Sequence, residues 1–173
     1  MGEFVLWGKL CTRIMERHYS FIIEKPPLDV LDDAIREIGF NLKGAIECSK
    51  ETLGKTSMVP IMINPAQRVC MFPTISPFKH NCVWFNPMHI IDTKSNGRHT
   101  IVYLSNHTTI PVEMRLATFN AKWHTAKKYC EQISERALGE ITSFETNPTQ
   151  KCEIIIEETG KYNFEMFKRK NKY

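Results

Sequence analysis

Four residues of types that bind zinc lie close together in the middle of the sequence: Cys70, His80, Cys82 and His89. His80 and Cys82 would share one face of a strand, since side chains two positions apart point the same way. Zinc accepts both thiolate and imidazole ligands. The spacing matches none of the common zinc-binding pairings, however, and a cysteine inside an apolar run is more generally a small core residue. A metal-dependent hydrolase built on this cluster is therefore only one of the functional classes to distinguish.

The signatures of common enzyme classes are absent. The sequence contains no glycine-rich dinucleotide loop, no P-loop, no serine nucleophile elbow and no zinc-protease helix motif. A carboxylate cluster at Asp29, Asp32 and Asp33 lies at the start of a predicted helix, where negative charge stabilises the helix dipole. We therefore expect no catalytic residues, no bound metal, no cofactor and no enzymatic activity.

Polar and basic residues lie at the predicted turns of the middle segment, including a third turn at Asn106 and His107. Antiparallel ribbons with Asn, Arg and Lys at their tips can follow phosphates or enter a minor groove. Turns are polar in most proteins, and lysines on a helix commonly form a solvated face, so both interpretations stay open here. The candidate DNA-binding residues are Lys79, His80, Lys94, Asn96, Arg98, His99, Lys122, Lys127 and Lys128.

The positive charge of the chain is concentrated in its middle. The formal net charge is +4, and residues 61–136 contain nine Lys or Arg against four Asp or Glu, with five of the six His. Such a distribution suits a polyanionic partner. An excess of this size is also common in proteins that bind no polyanion.

The strands are predicted from short apolar runs bounded by turn residues. A first hairpin is expected over residues 10–15 and 19–23. A second is expected over 61–63 and 68–72, around Asn64-Pro65, with further apolar runs at 82–85 and from Met88 to Ile91. Asn96-Gly97 is the strongest hairpin signal in the chain, and it predicts a turn between strands 91–94 and 98–104. Another strand follows at 108–112.

Three segments have helical spacing of apolar residues. Residues 28–38 form one predicted helix, opened by Pro27 and closed by Gly39, and residues 44–53 form a second that ends at Gly54. Residues 116–134 form a longer amphipathic helix. The predicted fold class is therefore α+β, a mainly antiparallel sheet of hairpins with two short helices before Val59 and one longer helix near 116–134.

The composition predicts one ordinary domain. We expect residues 1–138 to be a single DNA-binding domain, and residues 139–173 to be a partly ordered C-terminal tail with a strand at 152–156. The six scattered cysteines, the absence of an export signal and the absence of a membrane-length apolar run predict a cytoplasmic protein with reduced thiols.

The central block resembles the bacterial competence transcription factor family, ComK. The resemblance extends downstream through Leu104-Ser105-Asn106 and Pro111 to the helix ending near Ile133, and covers about two thirds of the chain. Upstream, Ala45 stands after Gly44 where the family has an arginine, a departure that leaves open whether this chain makes the family's basic contact there. The motifs that carry the resemblance are Pro60-Ile61-Met62, Asn64-Pro65, Phe72-Pro73-Thr74, Cys82-Val83-Trp84 and His89-Ile90.

The resemblance implies a DNA-binding activator of genes for natural DNA uptake. It implies recognition of AT-rich promoter sites with paired A- and T-tracts, mainly through the minor groove, by dimers that pair into tetramers. It also implies RNA polymerase and a proteolytic adaptor as partners, with residues 139–173 as the place for a degradation signal. The alternative of another class is a protein-binding regulator that keeps the fold without specific DNA binding.

Overall fold

The computed structural model describes residues 1–6, 9–16, 18–55 and 57–139, together with the backbone of two further strands, Ile154–Ile156 and Tyr162–Phe164. The chain divides into two compact units, Met1–Leu138 and Gly139–Tyr173. In the second unit the two strands pair antiparallel. The predicted strand at 152–156 is present as Ile154–Ile156, and its first two positions lie outside the described residues.

The first unit begins with an antiparallel sheet of three strands, β1 (Gly2–Leu6), β2 (Lys9–Met15) and β3 (Ser20–Ile23), in that order. The β2–β3 hairpin agrees with the sequence-based expectation, whereas β1 was not expected. The start of β1 contacts a distant part of the chain. The backbone N–H of Trp84 donates to the Met1 carbonyl at 2.8 Å, and Gly2 forms a β-bridge with Val83.

Two helices follow, α1 (Pro27–Arg36) and α2 (Leu42–Leu53). Pro27 lies in the first turn of α1. A backbone N–H there would have no hydrogen-bond partner within the helix, so proline loses no helical bond at this position. The side chain of Asn41 caps α2 by accepting a 2.8 Å hydrogen bond from the Gly44 N–H. The helix ends at Gly54, whose φ of 60° is the left-handed conformation that favours glycine.

The central sheet is formed by β4 (Ile61–Asn64), β5 (Val69–Pro73) and β6 (Trp84–Phe85), paired antiparallel in that order. Both of its faces are covered. Ile61 and Ile63 pack with Leu31 and Ile35 of α1, while the alternate residue Met62 packs on the opposite side. This burial on two sides explains why the central block reads as nearly continuous apolar sequence.

A short 3-10 turn, Pro87–His89, then leads into a third antiparallel sheet of β7 (Ile90–Asn96), β8 (His99–Leu104) and β9 (Thr109–Val112). The apolar run expected from Met88 to Ile91 is thus divided between the turn and the start of β7. The Asn86 side chain accepts from the Met88 N–H at 2.9 Å and fixes this turn.

The last element of the first unit is helix α3 (Leu116–Leu138), four residues longer than the 116–134 prediction. Phe119 is fully buried and packs against Phe72 of the central sheet and against Phe85. Val102 and Val112 of the third sheet belong to the same core cluster. Cys130 and Tyr129 lie on the central sheet next to Met62 and Cys70. The α+β prediction is confirmed, with its antiparallel strands divided among three small sheets in this unit.

Phe119 is expected to be the most sensitive position of this core. Phe119→Ala removes the ring that contacts both Phe72 and Phe85, and should lower the free energy of unfolding by about 3–5 kcal/mol in urea denaturation. The matched control is Phe78→Ala, because the Phe78 side chain is 86% exposed and its loss should change that free energy by less than about 0.5 kcal/mol. Equal losses for the two variants would contradict the packing described here.

Candidate nucleic-acid interface

The β7–β8 hairpin ends in a two-residue loop, Gly97 and Arg98. Asn96 pairs with His99 across the hairpin, so the turn is centred one residue later than the sequence suggested. Gly97 has a φ of 63°, which a residue with a side chain rarely adopts, and two-residue hairpin loops require such a conformation. Arg98 is exposed. The hairpin therefore presents one arginine at a narrow tip.

The pairing register assigns the neighbouring side chains to faces of the third sheet. Thr100 and Val102 are fully buried and face α3, and Thr93, which pairs with Val102, donates a 2.8 Å hydrogen bond to the Asn120 side chain of α3. Because strand side chains alternate, the opposite, outer face carries Lys94, Asn96, His99, Ile101 and Tyr103.

Lys94 lies on this outer face rather than at the tip. Its ammonium group is 5.2 Å from the centre of the Tyr103 ring, a cation–π distance. The contact holds the lysine over the sheet, with its charge exposed to solvent. Lys94 is therefore set back from Arg98 along the same hairpin.

The loop that carries Lys79 and His80 lies at the same end of the fold as the hairpin tip. β8 begins at this tip, and its Thr100 pairs with Val112 at the end of β9. Val112 and Glu113 in turn line a depression of about 260 Å³ together with His80. Lys79 is exposed in that loop, where its carbonyl accepts from the Cys82 N–H at 3.0 Å.

Arg115 belongs to the same end of the fold and was not among the predicted residues. It directly precedes α3 and is exposed. The Thr100 hydroxyl donates to the neighbouring Met114 carbonyl at 2.7 Å, which ties this segment to the base of the hairpin tip. No periodicity or turn signal in the sequence marks Arg115; only the pairing of β8 with β9 brings it there. This tip surface, as we name it, comprises Lys79, His80, Asn96, Arg98, His99 and Arg115.

The three helical lysines differ in environment. Lys127 and Lys128 are exposed on α3. Lys122 is half-buried, and its amine donates to the Pro73 carbonyl at 3.5 Å and lies 3.7 Å from the Met58 sulfur. Burial lowers the pKa of Lys122 below its usual value. The Lys122 amine is thus engaged inside the fold, unlike its two neighbours.

The Asn106–His107 turn is separate from the tip surface. It joins the other end of β8 to β9, and the Asn106 side chain donates to the Glu16 carbonyl at 3.1 Å. Strand direction therefore places this turn at the opposite end of the third sheet from Arg98.

The four residues considered as zinc ligands have other partners or positions. The Cys82 thiol donates to the Ile75 carbonyl at 3.5 Å, and the His89 ring is 3.1 Å from the Ser105 hydroxyl. Cys70 is buried against Cys130 and shares a hydrogen bond with it. Within the described ranges, no group of three or more His, Cys, Asp or Glu residues is placed to hold a metal ion. Nor does any helix in these ranges have the length and apolar character to cross a membrane.

A family model described as ComK protein matches residues 1–138. The chain belongs to the ComK family. It is also 28% identical over 134 residues to the competence transcription factor of Bacillus subtilis (strain 168), a match that covers 75% of this chain and 70% of that protein. No solved structure matches it. The family match ends at the boundary between the two compact units, and it confirms the resemblance found in the central block.

The backbone of the hairpin loop can be tested apart from its charge. Gly97→Ala should lower the free energy of unfolding by about 1–2 kcal/mol, because a Cβ is strained at positive φ. Arg98→Ala, in the same loop, should change it by less than about 0.5 kcal/mol. Urea denaturation of both variants measures the difference, and equal stabilities would show that the turn does not need glycine.

Proposed function

We propose that the protein is a competence transcription regulator that binds AT-rich double-stranded DNA, mainly through the minor groove, with the β7–β8 hairpin tip as the element that enters the groove. Membership of the ComK family and the similarity to a competence transcription factor support the regulatory role. The observation that carries the DNA-binding part is the exposed Arg98 at a two-residue tip, flanked by Asn96 and His99.

The shape of the tip fits a narrow groove. The minor groove of B-DNA is about 6 Å wide, and in A-tracts it is narrower still, with an enhanced negative potential that attracts arginine. A loop of two residues is the smallest connection between paired strands, so it can approach the groove floor with Arg98 leading. Asn96 and His99 follow on one sheet face, where their side chains can hydrogen-bond with the acceptors of A·T pairs.

The remaining basic residues suit contacts to the phosphate backbone. Lys79 and Arg115 lie at the same end of the fold as the tip, and Lys94 lies behind it on the outer face. Lys127 and Lys128 are exposed on α3 and are assigned the same role, whereas the engaged amine of Lys122 makes it the weakest candidate. Glu113 is the acidic residue closest in sequence to this surface, and it limits how near a phosphate can come to His80.

The proposal places the protein in the cytoplasm, acting as a homo-oligomer at promoters with RNA polymerase as a partner, and subject to adaptor-directed proteolysis. Residues 1–138 form the DNA-binding domain, and residues 139–173 are the proposed site of the degradation signal. The alternative is a protein-binding regulator without specific DNA binding. The two experiments that follow distinguish it from the proposed DNA-binding regulator.

Inosine substitution tests which groove is read. An inosine·cytosine pair lacks the guanine 2-amino group, so its minor groove resembles that of A·T, while its major groove resembles that of G·C. We expect the full chain to bind a duplex with paired A- and T-tracts and its inosine·cytosine counterpart with similar affinity, and a G·C duplex of equal length at least about tenfold more weakly. Fluorescence anisotropy at several salt concentrations measures this.

Two outcomes would contradict the proposal in different ways. Loss of binding to the inosine·cytosine duplex, with binding to the A-tract duplex retained, would move recognition to the major groove. Equal binding to all three duplexes, or binding to none, would leave the protein-binding regulator as the better assignment for this chain.

Single substitutions test the roles of the basic residues. Arg98→Ala should weaken binding to the A-tract duplex by about tenfold or more and reduce the preference over G·C, as expected for a side chain inside the groove. Lys79→Ala should weaken binding to both duplexes alike and reduce the salt slope by about one, as expected for one phosphate contact.

The matched control for lost charge is Lys43→Ala. Lys43 is an exposed residue of α2 that lies 4.0 Å from Glu47, so its substitution should leave affinity and preference nearly unchanged. An effect of Lys43→Ala equal to that of Arg98→Ala would show that overall charge, and not the hairpin tip, determines binding.

A further inference from the structure

The Phe78 side chain is 86% exposed, the largest fraction among the exposed large apolar side chains of the described residues. It stands next to Lys79 in the loop that joins β5 to β6, between the motifs Phe72-Pro73-Thr74 and Cys82-Val83-Trp84 and in neither of them. Single exposed apolar residues are common on protein surfaces, so exposure alone assigns no role to this ring. Its backbone and the charges beside it do.

A proline turn fixes the backbone that carries the ring. The Lys79 N–H donates to the Ser76 carbonyl at 3.0 Å, which closes a four-residue β-turn with Pro77 and Phe78 at its two central positions. Proline at the first of these positions presets the backbone dihedral that the turn requires. Phe78 therefore lies on a pre-formed turn rather than on a freely rotating segment.

The rest of the loop is closed by hydrogen bonds as well. The Cys82 N–H donates to the Lys79 carbonyl at 3.0 Å, which forms a second turn directly after the first. At the base of the loop, the Thr74 N–H donates to the Val83 carbonyl at 2.9 Å, and the Val83 N–H donates to the Thr74 hydroxyl at 3.0 Å. Because these bonds already order the loop, little conformational entropy is left to lose when the ring is buried against a partner.

The charges near the ring favour a polyanion as that partner. Lys79 is the next residue in the chain, and the loop lies at the same end of the fold as Arg98 and Arg115. The core of a protein–protein interface is depleted of charged residues, whereas this ring is exposed beside cations. DNA offers phosphates to the cations and stacked base pairs to the ring. Proteins that bind the minor groove frequently insert an apolar side chain between two base pairs.

We propose that Phe78 is a wedge residue, whose ring enters between two neighbouring base pairs from the minor groove while Arg98 occupies the groove beside it. The inference rests on the proposed DNA binding and adds to it a residue that separates base pairs without hydrogen-bonding to them. Burial of the ring between the separated bases removes it from water, which offsets part of the cost of unstacking. Lys79 then contacts the phosphate next to the opened step.

A wedge of this kind selects DNA by how readily a base step opens. A phenyl ring has no hydrogen-bonding group with which to distinguish one base edge from another. A-tracts are stiff, whereas pyrimidine–purine steps such as TA are easily unstacked. We therefore expect Phe78 to enter at a flexible step on the border of a tract and not inside one. That step contributes to specificity although no hydrogen bond reads its bases.

A mismatch scan with the full chain tests the wedge. One mismatched pair is moved step by step through the A-tract duplex and its flanks, because a mismatched pair costs less to unstack than a complementary one. Fluorescence anisotropy should show that wild type binds at least about tenfold more tightly when the mismatch lies at the wedge step, and no more tightly when it lies elsewhere. A fluorescent adenine analogue, 2-aminopurine, at that step should become brighter as its base unstacks.

Three variants assign the effect to the ring. Phe78→Ala should lose the tenfold gain and the brightening, while the salt slope stays unchanged because the ring carries no charge. Phe78→Leu keeps an apolar wedge and should retain most of the gain. The matched control is Phe40→Ala, which removes a ring that is 64% exposed in the connection between α1 and α2, and it should behave as wild type does. Urea denaturation of Phe78→Ala, which should match wild type, separates a lost wedge from a lost fold.

Failure of the wedge and failure of the DNA binding give different results. The wedge is overturned, and the DNA binding stands, if wild type binds the A-tract duplex but no mismatch position strengthens binding. The same conclusion follows if Phe78→Ala keeps the gain, or if Phe40→Ala loses it equally, and the exposed ring would then be available to a protein partner. If wild type binds none of the duplexes, the proposed function and the wedge are both overturned.

Discussion

Phe119 packs against Phe72 and Phe85 at the point where the central sheet, the third sheet and α3 meet. Its ring is 5.5 Å from that of Phe85 in an edge-to-face arrangement and 5.9 Å from that of Phe72. Each of the two sheets is too small to be stable alone, since β6 has two residues and β9 four. Covering both with one helix completes a core that neither sheet can form by itself. The position of the hairpin tip relative to the Lys79 loop therefore depends on the position and orientation of α3 on the two sheets.

Polar contacts fix the position and orientation of α3 more specifically than the apolar packing does. The Trp123 indole donates to the Pro87 carbonyl at 2.9 Å, and the Cys130 thiol donates to the Arg68 carbonyl at 3.5 Å. Together with the bond between Thr93 and Asn120, they hold α3 to the 3-10 turn, the central sheet and the third sheet. Each of these three bonds forms at only one orientation of the helix about its axis and one position along it. A shift of α3 by one residue would therefore break all three. Apolar contacts alone would tolerate such a shift more readily.

Local signals in the sequence were sufficient for much of this fold. Capping residues and apolar spacing located α1, α2 and α3, and Asn96-Gly97 located the β7–β8 hairpin. The strand β1 was missed, although it pairs with the adjacent β2 from Gly2 to Leu6. Only its start, at Met1 and Gly2, also contacts residues more than eighty positions away, which no local pattern encodes. Tyr129 was missed for a related reason. A phenol is compatible with a helix surface, and only packing against Met62 and Cys70 buries it and raises its pKa.

The candidate site, too, could be predicted only in part from the sequence. Residues at the turns could be identified as exposed and polar, but their grouping could not. Lys79 and Arg98 lie at one end because the end of β9 pairs with β8 next to the hairpin tip and also lines the depression that contains His80. Asn106 has the same turn chemistry but lies at the other end of β8. Lys122 has the spacing of a surface lysine, yet its amine lies against the Pro73 carbonyl. Spacing along a helix defines the direction of a side chain, but the neighbouring loop decides whether that direction leads to solvent.

A tip with one arginine limits the affinity for DNA that a single copy can reach. Electrostatic affinity for DNA scales with the number of phosphates that a protein neutralises, and the tip surface contributes only Lys79, Arg98 and Arg115 as permanent cations. In the proposed homo-oligomer, the tip of a second copy would add an equal set, and its contact with the same duplex would be intramolecular, which multiplies the two affinities at a high effective concentration. This gain requires two groove sites at a separation that the dimer can span. Weak binding by each tip is thus compatible with the proposed recognition of paired sites, since two linked contacts hold the protein more tightly than either contact does alone.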